Sequence, residues 1–467
     1  MQSFTSCAFL FYLLTFQTIY SNVMLQEMLE ILSLGPATSK TLAAATGTPR
    51  STVNRKLRAI GDAVIKFDKV RPPLYYAATE AFGEGNKIHL ASVDPHGNTN
   101  LWGILRPLAN GGFYLEPTPV APKVLMGDEE TGLYEGLPFF LDDLRPQGFI
   151  GRQIARDLNA QTDIFPPDPR DWNQEQIGRY LVANGDDLPG NLKIGRVALD
   201  RVRKPPQKSR REDYPELADK AIEGEVYGSS AGGEQAKFAT YAKERNAHVI
   251  VKFSPKGNGE LARRWRDILV TEYIAAEILH ENNIPAAEVT IFQRGDRLFL
   301  ESLRFDRTGE YGRLPLISMQ AIDNEFSGAG SSGWITVALA LHKRGVISWQ
   351  HFFDIAVYWG FGRLINNTDM HLGNISFSID GAGFSLAPIY DMCSMGFSPR
   401  STGEIPSFSF SPPDIDRRLV FIEKTTPMIK EMARAFWNKL RESELISEDL
   451  KKFLKQGNPI DKLEPDK

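Results

Sequence analysis

Cysteine is nearly absent from this chain of 467 residues: only Cys7 and Cys393 occur. That excludes a disulfide framework and any metal site built from several thiolates. Long apolar runs are scarce too. The stretch Cys7–Tyr20 falls short of the roughly 20 residues that a membrane span needs, and no Lys or Arg precedes it as in a signal peptide. Residues 1–23 are therefore expected to be an apolar extension from a start placed too far upstream, with Met24 as the true first residue. The alternative is an amphipathic or interfacial anchor. Net charge is small, 54 Lys and Arg against 58 Asp and Glu for −4, so any contact with nucleic acid must come from a local asymmetry. No internal repeat is visible. What is present is apolar material, 42% of residues, enough for two to three domains with sizeable cores. The composition is that of a soluble protein, expected in the cytoplasm.

The most informative stretch runs from Leu364 to Met392. Asp369 and Asn374 stand five residues apart in N-N-T-D-M-H-L-G-N, and Asp391 follows in A-P-I-Y-D-M. In kinases of the eukaryotic type, the loop H-R-D-x-x-x-x-N supplies an Asp that accepts the substrate hydroxyl proton and an Asn that holds Mg²⁺. A further Asp downstream binds metal as well. Asp369, Asn374 and Asp391 fit these roles in order. Between them, residues 374–379 alternate like a strand, Asp380-Gly381 signals a hairpin turn, and residues 384–387 read as the return strand. A surface loop can also gather Asp, His and Asn as turn formers, so the decision rests on the text upstream.

There, Tyr227–Tyr241 is a Ser/Gly cluster leading to Lys237, and such loops present backbone N–H groups to phosphates. The competing reading is a plain flexible turn. The cluster does not match G-x-x-x-x-G-K-[ST], which disfavours a P-loop NTPase. His248–Phe253 is a β-branched run holding Lys252, in the manner of the V-A-I-K strand whose lysine pairs the α- and β-phosphates. A lysine facing a core needs an anion to meet it. Helical periodicity over Thr271–Leu279 offers Glu272, or in competition Glu277, as that partner. Leu298–Glu301 followed by Arg304–Arg307 reads as the last strand of a small lobe entering a hinge.

In this order, S-S-A-G-G-E-Q-A-K, V-I-V-K-F, L-E-S-L-R-F-D-R, N-N-T-D-M-H-L-G-N and L-A-P-I-Y-D-M resemble the HipA family of bacterial serine/threonine kinases. These are the toxins of HipA/HipB-type toxin–antitoxin modules. The resemblance covers residues 100–445, more loosely before 220, where L-P-F-F-L-D-D-L-R-P at 137–146 carries it. It implies Asp369 as catalytic base, Asn374 and Asp391 as Mg²⁺ ligands, and Lys252 on the ATP phosphates. It places Ser229, Ser230, Gly232 and Gly233 in the nucleotide loop and Glu301 to Leu303 at the adenine. It also implies ATP and Mg²⁺ as cofactors, autophosphorylation of Ser229 or Ser230, and a HipB-like antitoxin as partner. The implied protein substrate is, in studied relatives, an aminoacyl-tRNA synthetase.

The first eighty residues read separately. Residues 24–34, 36–46 and 49–60 carry three short helical patterns, with Thr48 as N-cap and Pro49 at the first position of the third. Two short helices before Gly47 and a basic third one follow the pattern of a helix-turn-helix. The third presents Arg50, Ser51, Thr52, Asn54, Arg55 and Arg58 to phosphates and base edges. From 36 to 71, eight Lys or Arg stand against two Asp or Glu, the asymmetry expected of a DNA-binding surface. Residues 64–76 read as the strands and tip of a wing. The alternative is a helical protein-docking domain.

The expected fold is α+β: a winged helix-turn-helix at 24–80, then a kinase-like two-lobed body. The body divides into an N-terminal subdomain at 98–220, a small lobe at 221–306 and a helical large lobe at 307–460, with 78–97 and 201–219 as exposed linkers. Three functions compete. The first is a toxin kinase fused to a DNA-binding domain. The second is a DNA-binding regulator whose kinase fold senses nucleotide. The third is a nuclease whose metal is held by Asp369, His371 and Asp391. The nuclease leaves Lys252 and the Gly-rich loop without a role, and His371 is expected to order its loop.

Overall fold

A computed structural model of the chain describes residues 23–223, 235–330, 333–381, 383–400 and 402–463. The N-terminal unit comprises α1 (23–34), β1 (Ala37–Thr38), α2 (Ser39–Ala45), α3 (Arg50–Ala59), β2 (Val64–Phe67) and β3 (Leu74–Ala77). Thr38 starts α2 by accepting the Thr41 N–H at 3.1 Å. The third helix begins one residue later than expected: Pro49 takes the cap position, and the Thr48 hydroxyl bonds to the Thr46 carbonyl instead. Met28, Leu32, Leu42, Val53 and Leu57 meet in one small core. The sheet order is β1-β3-β2. Along β2, Ile65 and Phe67 are buried while Lys66 is exposed, the period of a half-covered strand. Their cover comes partly from β3 and partly from the rest of the molecule: Phe67 packs edge-on against Tyr76 of β3 and against Tyr114, and the Lys69 ammonium donates to the Glu130 carbonyl at 2.7 Å.

Next come β4 (Ile88–Val93), β5 (Thr99–Pro107), β6 (Phe113–Pro117), β7 (Leu133–Tyr134), α4 (Phe139–Asp142), α5 (Gly148–Gln161), α6 (Gln174–Asn184), β8 (Leu192–Ile194) and α7 (Arg196–Asp200). Their sheet runs β7-β6-β5-β4-β8. The expected linker at 78–97 is thereby corrected, because Ile88–Val93 is an inner strand between β5 and β8. Nearly every residue of it is buried, and a strand covered on both faces lacks the alternation that marks a strand in sequence.

The third layer holds β9 (Lys208–Ser209), α8 (Tyr214–Ala221), β10 (Lys237–Ala242), β11 (Ala247–Phe253), α9 (Glu260–Glu281), β12 (Val289–Arg294) and β13 (Arg297–Leu303), in sheet order β12-β13-β11-β10-β9. The second expected linker, 201–219, is also corrected. Lys208–Ser209 adds an edge strand to β10, and Tyr214 is fully buried against Phe238, Phe292 and Phe299. The chain continues through β14 (Arg307–Thr308), β15 (Gly312–Arg313), β16 (Ile317–Ser318), α10 (Met319–Phe326), α11 (Trp334–Lys343), α12 (Trp349–Leu364), β17 (Ser376–Asp380), β18 (Gly383–Leu386), α13 (Thr426–Glu442) and α14 (Glu448–Leu454). Ser348 caps α12, accepting the His351 N–H at 3.1 Å. The α+β class and the helical C-terminal half stand as expected. Among the described residues no helix is long and apolar enough to cross a membrane.

Candidate active site

The register of β11 against β13 sorts the site residues onto two faces. Lys252 lies opposite Leu300 and Val251 opposite Glu301, and neighbours along a strand point to opposite sides. Lys252 therefore faces α9. There its Nζ donates to Glu272 Oε1 and Oε2 at 2.6 and 2.7 Å and to Asp391 Oδ1 at 2.7 Å. Of the two competing helix carboxylates, Glu272 is the one that meets the lysine. Glu277 lies one turn and a half further along α9, at 2.7 Å from the Tyr273 hydroxyl and 3.0 Å from Lys439.

Lys252 and Glu272 are each 5% exposed. Burial works against the charge on Lys252, but Asp391 and Glu272 outweigh it and hold the ammonium well above its ordinary pKa. Burial would also raise Asp391, yet Lys252 and Lys237 pull it down to about 2, so it stays ionised at neutral pH. Lys237 reaches the site because it opens β10 directly opposite Lys252. The neighbouring Cys393 is buried, and burial pushes its thiol far up, which leaves it unreactive.

Asp391 is held at φ +53°, a conformation rare outside glycine and concentrated at functional sites. Main-chain bonds from Ile389 N to Pro285 O and from Ala287 N to Ile389 O fix the approach to it. The loop before it is braced at several carbonyls. Trp334 Nε1 donates to His371 O at 2.9 Å, the Tyr390 hydroxyl to Gly373 O at 3.0 Å, and Asn374 Nδ2 to Asp369 O at 2.7 Å. The Asp369 carboxylate itself is half exposed, with His371 Nε2 at 3.8 Å. His371 Nδ1 accepts the Gly373 N–H at 3.0 Å, the loop-ordering role expected of it. Asn367 is a residue that sequence reasoning missed. Its buried side chain accepts the Asp369 N–H at 3.0 Å, and the visible signal was an Asn two positions before the Asp, an Asx-turn spacing.

Glu301 requires a correction. Its carboxylate lies on the opposite face of the sheet from Lys252, where it is fully buried and bound by Arg211 at 2.8 Å and by the Tyr214 hydroxyl at 2.7 Å. Leu303 pairs with Val249 and falls on that same face. The partly buried side chains on the Lys252 face, next to the hinge, are Ile250 and Ser302, a directly opposed pair. Strand alternation from Lys252 could have pointed to them. Ser229, Ser230, Gly232 and Gly233 lie outside the described residues.

The donor set suits a hard cation of the Mg²⁺ kind: an ionised carboxylate at Asp391 and an amide oxygen at Asn374 whose Nδ2 is already committed. Among the described residues no three His, Cys, Asp or Glu side chains converge as a metal cage. Asp369, His371 and Asp391 do not form the three-ligand centre that a nuclease reading requires.

Comparison with known proteins decides the family. Residues 84–203 match the family described as YjjJ-like toxin, middle domain, and residues 229–443 the HipA-like C-terminal domain. Toxin YjjJ of Escherichia coli (strain K12) is 34% identical over 388 residues, covering 81% of this chain and 85% of its own. The chain belongs to the HipA family, on its YjjJ-like side. A HipA-family chain from Shewanella oneidensis MR-1, solved as a complex of HipA, HipB and operator DNA, covers 79% of this chain and 94% of its own at 15% identity and a TM-score of 0.49. The Helicobacter pylori proinflammatory kinase CtkA covers 49% and 86% at 16% identity and a TM-score of 0.32. Within the HipA family, the matched middle domain starts at 84 rather than 98 and so includes β4.

Proposed function

We propose that this HipA-family protein is an ATP- and Mg²⁺-dependent serine/threonine protein kinase acting as a toxin. The observation that carries the reading is the buried contact of Lys252 with both Glu272 and Asp391. It joins a strand, a helix and a loop far apart in sequence around one ammonium, as kinases do. In this reading Lys252 holds phosphate oxygens and Asp369 accepts the proton of the attacking hydroxyl. Asp391 and Asn374 hold Mg²⁺, which when bound offsets charge on the transferring phosphate. Ile250 and Ser302 border the adenine. Ser229 or Ser230 is the proposed autophosphorylation site.

The N-terminal unit is proposed as a winged helix-turn-helix that binds DNA. In its support, α3 buries Val53 and Leu57 and exposes Ser51, Arg55 and Arg58. Arg50 is exposed as well, although its Nε is bonded to the Ser39 hydroxyl at 3.0 Å. Membership of a toxin family supports a HipB-like antitoxin as partner. It also supports a protein substrate, with aminoacyl-tRNA synthetases the first class to assay.

The test is incubation with Mg²⁺ and γ-labelled ATP, alone and with cell extract, followed by mapping of the label beside an Asp369→Ala control. Label on Ser229 or Ser230, or on an extract protein, is expected for the native chain, with a loss of at least about 10²-fold in the variant. Nucleotide binding without any transfer would instead favour the DNA-binding regulator that senses nucleotide.

A further inference from the structure

The middle domain reaches into the hinge. Asp187, in the loop between α6 and β8, accepts from Arg304 Nη1 at 2.8 and 2.9 Å and from Arg307 Nη2 at 2.8 Å. Arg304 in turn holds Asp306 through Nε and Nη2 at 3.1 and 3.0 Å, and Asp306 accepts the Gly190 N–H at 2.9 Å. These bonds clamp residues 304 and 306 on either side of Phe305. The Phe305 ring lies 5.8 Å from that of Tyr390. Tyr390 directly precedes Asp391, and its hydroxyl bonds Gly373 O inside the catalytic loop and Ser376 Oγ at 2.7 Å. The Arg304 N–H closes the frame by donating to His248 O on β11, the Lys252 strand, at 3.0 Å.

The arginines are at least nine-tenths buried, whereas the Asp187 side chain is 53% exposed. The carboxylate that neutralises them thus comes from the rim, on a different matched module from the hinge it serves. We propose that Asp187 is a positioning residue for phosphoryl transfer, the middle domain's own contribution to the kinase site. Through Arg304 and Asp306 it sets Phe305 against Tyr390, and so sets Asp391 and the carbonyl of Gly373. It touches no reacting group. This rests on the kinase reading above.

The experiment uses the full chain and compares native protein with Asp187→Asn and Asp187→Glu in three measurements: the Kd for Mg·ATP across a Mg²⁺ titration, the rate of phosphate transfer, and Tm. Asp187→Asn keeps the shape and loses the charge. It is expected to weaken Mg²⁺-dependent ATP binding and slow transfer on the order of tenfold, with Tm within a few degrees of native. Asp187→Glu, which keeps the carboxylate, is expected to regain most of both, as a residue needed only for folding bulk would not.

The proposal is overturned if Asp187→Asn binds and transfers within about twofold of native, or if its losses merely track Tm and the Glu variant restores nothing. Should Asp187→Asn not fold, Phe305→Leu decides from the other end of the relay. Slowed transfer at native Tm supports the clamp, and native transfer refutes it. A native chain that binds Mg·ATP but transfers nothing removes the kinase reading alone, and the clamp then stands or falls on the Kd comparison. A native chain that binds no nucleotide removes both.

Discussion

Lys252 shows most clearly how one residue is both a liability and a tool. A lysine buried to this degree is tolerated only because Glu272 and Asp391 meet it at hydrogen-bond distance, and each carboxylate is in turn tolerated because of the lysine. Replacing Lys252 by Met removes the cation and strands two carboxylates. The expected outcome is loss of phosphate transfer together with about 3–5 kcal/mol of stability, read from denaturant unfolding. Glu277→Gln is the matched control. That carboxylate sits at the surface beside Lys439, and its loss is expected to cost under about 1 kcal/mol and leave transfer unchanged. Both helix carboxylates were visible in sequence, but only the rotation of α9 against β11 separates them.

At the level of elements, β2 and β3 have two unlike faces. The face carrying Ile65 and Phe67 is spent on docking to Leu108, Tyr114 and Leu133 of the middle domain, and the other face lays Val64, Tyr75 and Ala77 on the helix core, leaving Lys66 exposed. Phe67→Ala empties a site walled by Tyr76 and Tyr114 and is expected to cost about 3–5 kcal/mol. The loss belongs to the N-terminal unit. Hydrogen exchange over residues 37–77 should accelerate while β10, β11 and β13 keep native protection, and equal acceleration in both would show that the unit and the body unfold as one.

Over the whole molecule, the joint between the middle domain and residues 304–313 is electrostatic. Arg304, Arg307 and Arg313 are buried around Asp187 and Asp306. Burial alone would raise the Asp306 carboxyl, but Arg304 and Arg307 outweigh it, and the same arginines draw down the half-exposed Asp187, so both lie well below the usual carboxylate range. A depressed folded pKa contributes stability that is fully present above the unfolded value of about 3.9 and is lost as pH falls below it toward the folded value. The expected outcome is unchanged stability at this joint from pH 7 to about 5. Below about pH 4, hydrogen exchange at 185–191 and 304–316 should rise before that of the α12 and α13 core.

Order along the chain was readable from sequence because it depends on local chemistry. Three short helices and a hairpin before residue 80, the Lys strand, the Glu helix and the loop from Asp369 to Asp391 all follow from periodicity, turn residues and spacing. These are properties of neighbours in the chain. Tertiary structure decided the rest. It chose Glu272 over Glu277 and turned Glu301 away from Lys252 toward Arg211 and Tyr214. It also made strands of 88–93 and 208–209, and gave Arg304 a partner 117 residues away. Each of these depends on which face of an element meets another. A strand covered on both sides, or a charge whose partner lies on a distant loop, leaves no periodic trace in its own stretch of sequence.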